Sequence, residues 1–89
     1  MYIYVTDDVG RLMGVMDLRE LLQASHEKTL KDIMIDNLIT LTPKSTLKDA
    51  LDIFSRYDFR AIPVIDEDRK LLGAVPFRDV MGLKHKFLE

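Results

Sequence analysis

The sequence predicts an α/β chain of the α+β kind, a small mixed sheet covered by helices, and three observations lead there. First, the chain repeats itself: Tyr2–Leu22 lies over Ala61–Met81 without a gap, so that Ile3, Val5, Asp7, Leu12, Gly14 and Arg19 coincide with Ile62, Val64, Asp66, Leu71, Gly73 and Arg78. Second, both copies run apolar stretch, acidic turn, apolar stretch, then an amphipathic segment, the rhythm of a hairpin followed by a helix. Third, the second copy is preceded by another strand and helix, giving the order β-α-β-β-α, whereas the first copy starts directly on its hairpin. A duplicated unit that lacks its front half suggests a piece of a larger protein.

The elements follow in order. Tyr2–Thr6 is β-branched and aromatic and predicts a strand. Asp7-Asp8-Val9-Gly10 is a turn in which Gly10 supplies positive φ, and Arg11–Met16 is the return strand. Asp17 sits at a helix N-cap before Leu18–Gln23, whose Leu18, Leu21 and Leu22 share a face. Thr29-Leu-Lys-Asp32 and Thr46-Leu-Lys-Asp49 are identical tetrapeptides of the [ST]-x-x-[DE] helix-start kind. The first opens only a turn or two before Ile35-Asp36-Asn37. The second opens a full helix, Leu47–Tyr57, with Leu47, Ala50, Leu51, Phe54 and Tyr57 on one stripe. Leu38–Thr42 before it predicts a strand parallel to a neighbour, closed by Pro43. The second hairpin is Ala61–Ile65 and Lys70–Val75, followed by a helix from Phe77 to Leu83 or beyond. Arg69 replaces the glycine found at Gly10, which predicts a different conformation for the second turn.

Composition narrows the class. The 89 residues are 47% hydrophobic and 31% charged, as in an ordinary globular domain, with a thin core at this size. A net charge of -2 argues against a nucleic-acid partner, whose phosphates demand a basic face. The absence of cysteine excludes disulfides, thiolate chemistry and Cys-based zinc sites. No apolar run approaches the roughly 20 residues that span a bilayer. His26 and His85 show no ligand spacing and no nucleophile partner, so both read as exposed and inert, and the sequence does not point to an enzyme.

Ile62-Pro63-Val64-Ile65-Asp66 followed by Gly73-Ala74-Val75-Pro76-Phe77-Arg78-Asp79 resembles the two signature stretches of a CBS domain. The resemblance implies a CBS-type β-α-β-β-α unit over residues 37–83, behind a truncated partner unit over 1–24 and a linker over 25–36. Residues 84–89 are left as a C-terminal tail, in which Leu88-Glu89 reads as a candidate cloning scar. A narrower resemblance, to the cytosolic CBS pair of MgtE-type magnesium transporters, rests on Val5–Val15, Leu18–Leu22, Asp32-Ile33-Met34 and Arg56-Tyr57-Asp58-Phe59. Haemolysin/CorC-like transporters carry similar pairs.

That resemblance implies a regulatory function, with ATP or AMP in the cleft between the units and Mg²⁺ on acidic residues at interfaces. Tyr2 and Phe59 would then flank adenine beside Pro63, Arg19 would reach phosphate, and Glu20 and Asp79 would take the two ribose positions. Asp58 and Asp79 fall on metal-sensing positions. Against this, Pro76 stands where a Ser/Thr hydroxyl is expected, Asp17 is a carboxylate facing the phosphate slot, and Gly82 replaces the next carboxylate after Asp79. Without ligand, Tyr2 and Phe59 are sheet-edge core residues, Arg19 and Arg78 are solvated charges, and the acidic turns Asp7-Asp8 and Asp66–Asp68 are turn chemistry. The bare apolar face of the incomplete unit predicts a homodimer that covers it. The implied setting is the cytoplasmic face of a membrane, coupled to a transmembrane pore domain. The alternatives are an adenine-nucleotide-sensing module of another effector, or a ligand-free dimerisation element.

Overall fold

The computed structural model describes residues 1–88, with side-chain surroundings for residues 1–82. Strands β1 (Tyr2–Thr6) and β2 (Leu12–Asp17) form one antiparallel hairpin and β3 (Ala61–Ile65) and β4 (Leu71–Pro76) another. The helices are α1 (Leu18–Gln23), α2 (Leu30–Ile33), α3 (Leu47–Arg56) and α4 (Phe77–Leu88). The two hairpins keep one register: Val5 faces Gly14 and Val64 faces Gly73, and each ladder slips once at the next step toward the turn. The mixed character of the sheet rests on a single parallel bridge between Leu41 and Val64. The predicted strand Leu38–Thr42 therefore contracts to that one residue, because only Leu41 is placed to donate to Pro63 (2.9 Å) and accept from Ile65 (2.9 Å). The tail expected from residue 84 is instead the continuation of α4 through Leu88. The Lys84–Lys86 side chains and His85 lie outside the described surroundings.

The helix starts are local chemistry. Thr29, Thr46 and Asp17 each cap the backbone three residues on, and Asp32, Asp49 and Glu20 reach back to the capping residue's N–H. Helix α4 follows Pro76 directly and has no such box; its first N–H, at Phe77, donates instead to the Arg60 carbonyl at 2.7 Å. The principal core lies in the second unit, where Phe54 and Ala50 of α3 meet Ile62 of β3, Leu41 and Val80 of α4. Phe54 and Phe77 pack edge to face with centroids 5.2 Å apart.

The two units meet through equivalent residues. Arg11 bridges Lys70, its own counterpart in the repeat. Leu12 donates to the Arg69 carbonyl at 2.9 Å and Leu71 donates to the Gly10 carbonyl at 3.0 Å, so the contact is a pseudo-two-fold exchange. Both carbonyls belong to left-handed residues, Gly10 at φ 88° and Arg69 at φ 66°. The expectation of a different second turn is thus corrected. The Asp66 carboxylate accepts from Asp68 and Lys70 as Asp7 accepts from Val9 and Arg11, which holds the same turn, and the cross-axis bond needs the Arg69 carbonyl where it is.

The linker closes over the first hairpin but not over the second. Ile35 exchanges both backbone hydrogen bonds with Val15, at 2.8 and 2.9 Å. Met34 lies so close to Gly14 that a Cβ there would sit 2.6 Å from the sulfur, whereas a Cβ on Gly73 would meet nothing within 4 Å. Gly14→Ala is therefore expected to destabilise by about 1–3 kcal/mol, and Gly73→Ala to stabilise by up to about 0.5–1 kcal/mol; denaturant titration of the pair measures the contrast.

Arg69→Gly should raise stability by about 0.5–1 kcal/mol, because glycine holds φ 66° without Cβ strain. A fall in the thermal midpoint would contradict this account of the turn. Three carboxyls lie below their ordinary range: Asp7 chiefly through the Arg11 N–H, Asp17 through the Arg19 N–H and Asp32 through the Thr29 N–H. Depressed carboxyls contribute stability that is complete above the unfolded value of about 3.9 and lost as pH falls through the folded values. The thermal midpoint should accordingly hold from about pH 7 to pH 5 and drop below about pH 4, with a shallower acid limb in Asp7→Asn.

Candidate functional site

Between the hairpins a cleft of ≈ 290 Å³ is bounded by β1, β2, the linker and the start of β3. Its walls are apolar or aromatic: Tyr2, Tyr4, Val15 and Met16 from the first hairpin, Ile35 from the linker, and Leu38, Ile39, Phe59, Ala61 and Pro63 from the second unit. Asp17, Glu20 and Asn37 are its charged and amide groups. Strand alternation explains the first wall, since Tyr2 and Tyr4 stand on one face of β1 and Tyr4 is paired with Val15. Tyr2 is fixed by its hydroxyl, which accepts from the Arg60 N–H at 3.2 Å. Phe59 is fixed by stacking on Tyr57, centroids 5.0 Å apart.

Tyr4, like Arg60, lines the site although the sequence does not single it out. Its hydroxyl is buried with no hydrogen-bond partner among the described residues. Burial, and then the neighbouring Tyr2, push its pKa above the ordinary tyrosine value. A buried hydroxyl without a partner costs free energy that a bound polar atom can return. The i, i+2 spacing from Tyr2 was the available signal.

At the acidic end of the cleft, Asp17 is occupied with the Arg19 N–H at 3.1 Å, and Glu20 makes only a long 3.5 Å contact to the Asp17 N–H. Asp17 and Glu20 also line an adjoining recess that contains Arg19 and Arg60. Arg19 thus stands beside the cleft rather than in it, and Arg60, unsuspected from sequence, joins it from the other unit. Of the residues expected at an adenine site, Tyr2, Glu20, Phe59 and Pro63 are brought together.

Asp79 is not in that cleft. It lines a second recess with Asp58, on the other side of Phe59, so the two expected metal-sensing carboxylates share a surface. Arg60 and Arg78 line it too, along with Tyr57, Phe77 and Pro76. Among the described residues no group of three or more His, Cys, Asp or Glu side chains converges. Mg²⁺ needs only one or two carboxylates when it keeps its waters, so the recess has the right ligand type, with two guanidinium groups competing for it. Gly82 is exposed and contributes no ligand. His26 is exposed in the linker. No described helix is long and apolar enough to cross a membrane.

An apolar slot with aromatic side chains, an orphaned hydroxyl and a little-engaged carboxylate at one end suits a nucleoside: a flat base with polar edges on a hydroxylated sugar. Comparison with known proteins agrees with this architecture. The CBS domain family matches residues 30–86. The magnesium transporter MgtE of Thermus thermophilus is 35% identical over 82 residues, which cover 92% of this chain and 18% of that protein. The inosine-5'-monophosphate dehydrogenase of Aquifex aeolicus is 43% identical over 51 residues, 57% of this chain and 10% of that enzyme. The solved cytosolic domain of the Mg²⁺ channel MgtE in complex with ATP superposes with a TM-score of 0.87 at 34% identity, covering 92% of this chain and 33% of that one. The chain spans less than a fifth of the length of the MgtE relative. With its paired hairpins, capped helices and interunit cleft, it belongs to the CBS domain family.

Proposed function

We propose that this chain is a ligand-sensing part of a regulatory CBS module that controls a magnesium or other divalent-cation transporter from the cytoplasmic face of a membrane. The observation that carries the reading is the interunit cleft, where Tyr2, Tyr4, Phe59 and Glu20 meet. The proposed ligand is an adenine nucleotide. Tyr2 and Phe59 would face the base, the Tyr4 hydroxyl would bond one of its polar edges, and the Glu20 carboxylate would accept from ribose hydroxyls. Arg19 and Arg60 in the adjoining recess would face the phosphates. Likeness to a cytosolic domain solved with ATP supports the nucleotide, and likeness to MgtE supports the transporter.

Mg²⁺ is assigned to the recess of Asp58 and Asp79. The exposed Tyr57 and Phe77 beside them offer apolar surface for a second subunit, so the sensing unit is a homodimer with cation sites at its seam. Regulation then needs no chemistry in the module. Ligands that bind one dimer arrangement better than another shift the balance between them, and a transmembrane pore domain reads that balance. A second reading, a nucleotide-sensing module of another effector, is favoured by the match to inosine-5'-monophosphate dehydrogenase.

The test is the thermal midpoint with Mg²⁺, ATP, ADP and AMP added separately at fixed protein concentration. A nucleotide at 100 times its dissociation constant should stabilise by about 2.7 kcal/mol, a shift on the order of ten degrees at this size. Tyr4→Phe should leave the ligand-free midpoint unchanged or slightly higher and weaken nucleotide binding roughly fivefold to tenfold. A further shift with Mg²⁺, lost in Asp58→Asn and Asp79→Asn, supports the cation sensor. A nucleotide shift without a Mg²⁺ shift selects the second reading. No shift with any of the four sinks both and leaves a ligand-free dimerisation element.

A further inference from the structure

The same glycine stands in both hairpins, but only one copy is covered. A Cβ on Gly14 would sit 2.6 Å from the Met34 sulfur, 2.7 Å from its Cγ and 3.0 Å from the Ile35 carbonyl oxygen. Gly14 is buried and Gly73 is exposed. The sulfur therefore lies on bare backbone, in space that any other residue would fill. Immediately beyond it, Ile35 exchanges both backbone hydrogen bonds with Val15. Ile35 and Val15 both line the interunit cleft. Met34 is also the C-cap of α2, where its N–H donates to the Leu30 carbonyl at 2.9 Å. One thioether thus sits between the end of a helix and the two bonds that hold the cleft wall.

The chain has five methionines, and their surroundings separate them. Met1 and Met13 are 73% and 38% exposed, so an oxygen added to either is hydrated. Met16 is 1% exposed and beyond the reach of solvent. Met81 is half-buried on α4 of the second unit. Met34 is half-buried too, open enough to meet a small solute and packed closely enough for its polarity to matter. A thioether is apolar and soft, which suits a bare glycine. A sulfoxide is polar and accepts hydrogen bonds. Against Gly14 its oxygen would have the Ile35 carbonyl, another acceptor, for a neighbour.

We propose that Met34 is an oxidation site through which a peroxide loosens the linker from the first hairpin. A sulfur lone pair attacks one oxygen of hydrogen peroxide. The S–O bond forms, the O–O bond breaks, and the other oxygen leaves as water carrying both peroxide hydrogens. Sulfur is oxidised by two electrons and the peroxide is reduced. The sulfoxide seeks water, lifts off Gly14 and draws Ile35 away from Val15. Sulfoxide reductases return the thioether, so the change is reversible. Loosening Ile35 also disturbs one wall of the cleft. Its effect on ligand affinity rests on the nucleotide reading of that cleft, whereas the release of the linker does not.

The test exposes the 89-residue chain to hydrogen peroxide, follows each methionine by peptide mass spectrometry, and reads the Val15 and Ile35 amides by hydrogen exchange. Met34 should oxidise after Met1 and Met13 and before Met16. As its sulfoxide accumulates, exchange at both amides should quicken roughly fivefold to tenfold. The thermal midpoint should fall by about 5 °C, and a methionine sulfoxide reductase should reverse both changes. Met34→Leu keeps the apolar fit and should abolish the response at these amides, while Met81→Leu should leave it intact. ATP affinity should fall in the treated chain with the same dependence on Met34. ATP that fails to bind the untreated chain counts against the nucleotide reading and leaves the amides to decide this one. Met34 still reduced when Met16 oxidises, unchanged exchange at the two amides once Met34 is a sulfoxide, or an undiminished response in Met34→Leu overturns the proposal. If Met34→Leu does not fold, the order of oxidation and the two amides in the unaltered chain decide it.

Discussion

The structure depends on the exchange of hydrogen bonds between the two turns. Leu12 to Arg69 and Leu71 to Gly10 are short, reciprocal and related by the repeat, and Arg11 and Lys70 lie on the axis between them. Each acceptor carbonyl is turned toward the other unit by a left-handed residue. Acidic side chains hold both turns from within: Asp7 caps Val9 and Arg11, and Asp66 caps Asp68 and Lys70. A glycine performs this without strain in one turn. In the other an arginine is held in a region it rarely adopts, which is tolerable only because the turn and the cross-axis bond together over-determine it.

Once the hairpins are joined there, the cleft follows. β1 and β2 present one wall, and Phe59, Ala61 and Pro63 present the other. The segment from Ile35 to Leu41 lies along it, supplies Ile35, Leu38 and Ile39, and bonds β2 through Ile35 and β3 through Leu41. Gly14 is what lets the linker come so close, because any side chain there would meet the Met34 sulfur. The same glycine in the second hairpin meets nothing, so an identical motif is structural necessity in one copy and open surface in the other.

Charge is distributed unequally over the two recesses that flank the axis. The first cleft ends in carboxylates with Arg19 and Arg60 next door. The second recess mixes Asp58 and Asp79 with Arg60 and Arg78. Arg60 lines a recess on each side and donates its N–H to Tyr2 while its carbonyl accepts from the start of α4. Its backbone thus ties the first hairpin to the start of α4 beside both recesses.

The grouping of Tyr2, Glu20, Phe59 and Pro63 came from the family resemblance. The sequence by itself determined the hairpins, the capping boxes at Thr29 and Thr46, the N-cap at Asp17 and the inward stripe of Ala50 and Phe54 on α3, whereas Tyr57, expected on that stripe, is exposed. These rest on local periodicity, on side chains that bond backbone within four residues, and on the repeat. Tertiary structure alone decided the rest. The strand predicted at Leu38–Thr42 kept only Leu41, since a parallel bridge needs a partner edge and only Pro63 and Ile65 offered one. Arg69 adopted the left-handed conformation because a distant N–H claims its carbonyl. Arg60 joined Arg19, and Asp58 joined Asp79, across sequence separations that no local pattern encodes. The orphaned hydroxyl of Tyr4 could be placed on its face by strand alternation, but its lack of a partner is a property of everything packed around it.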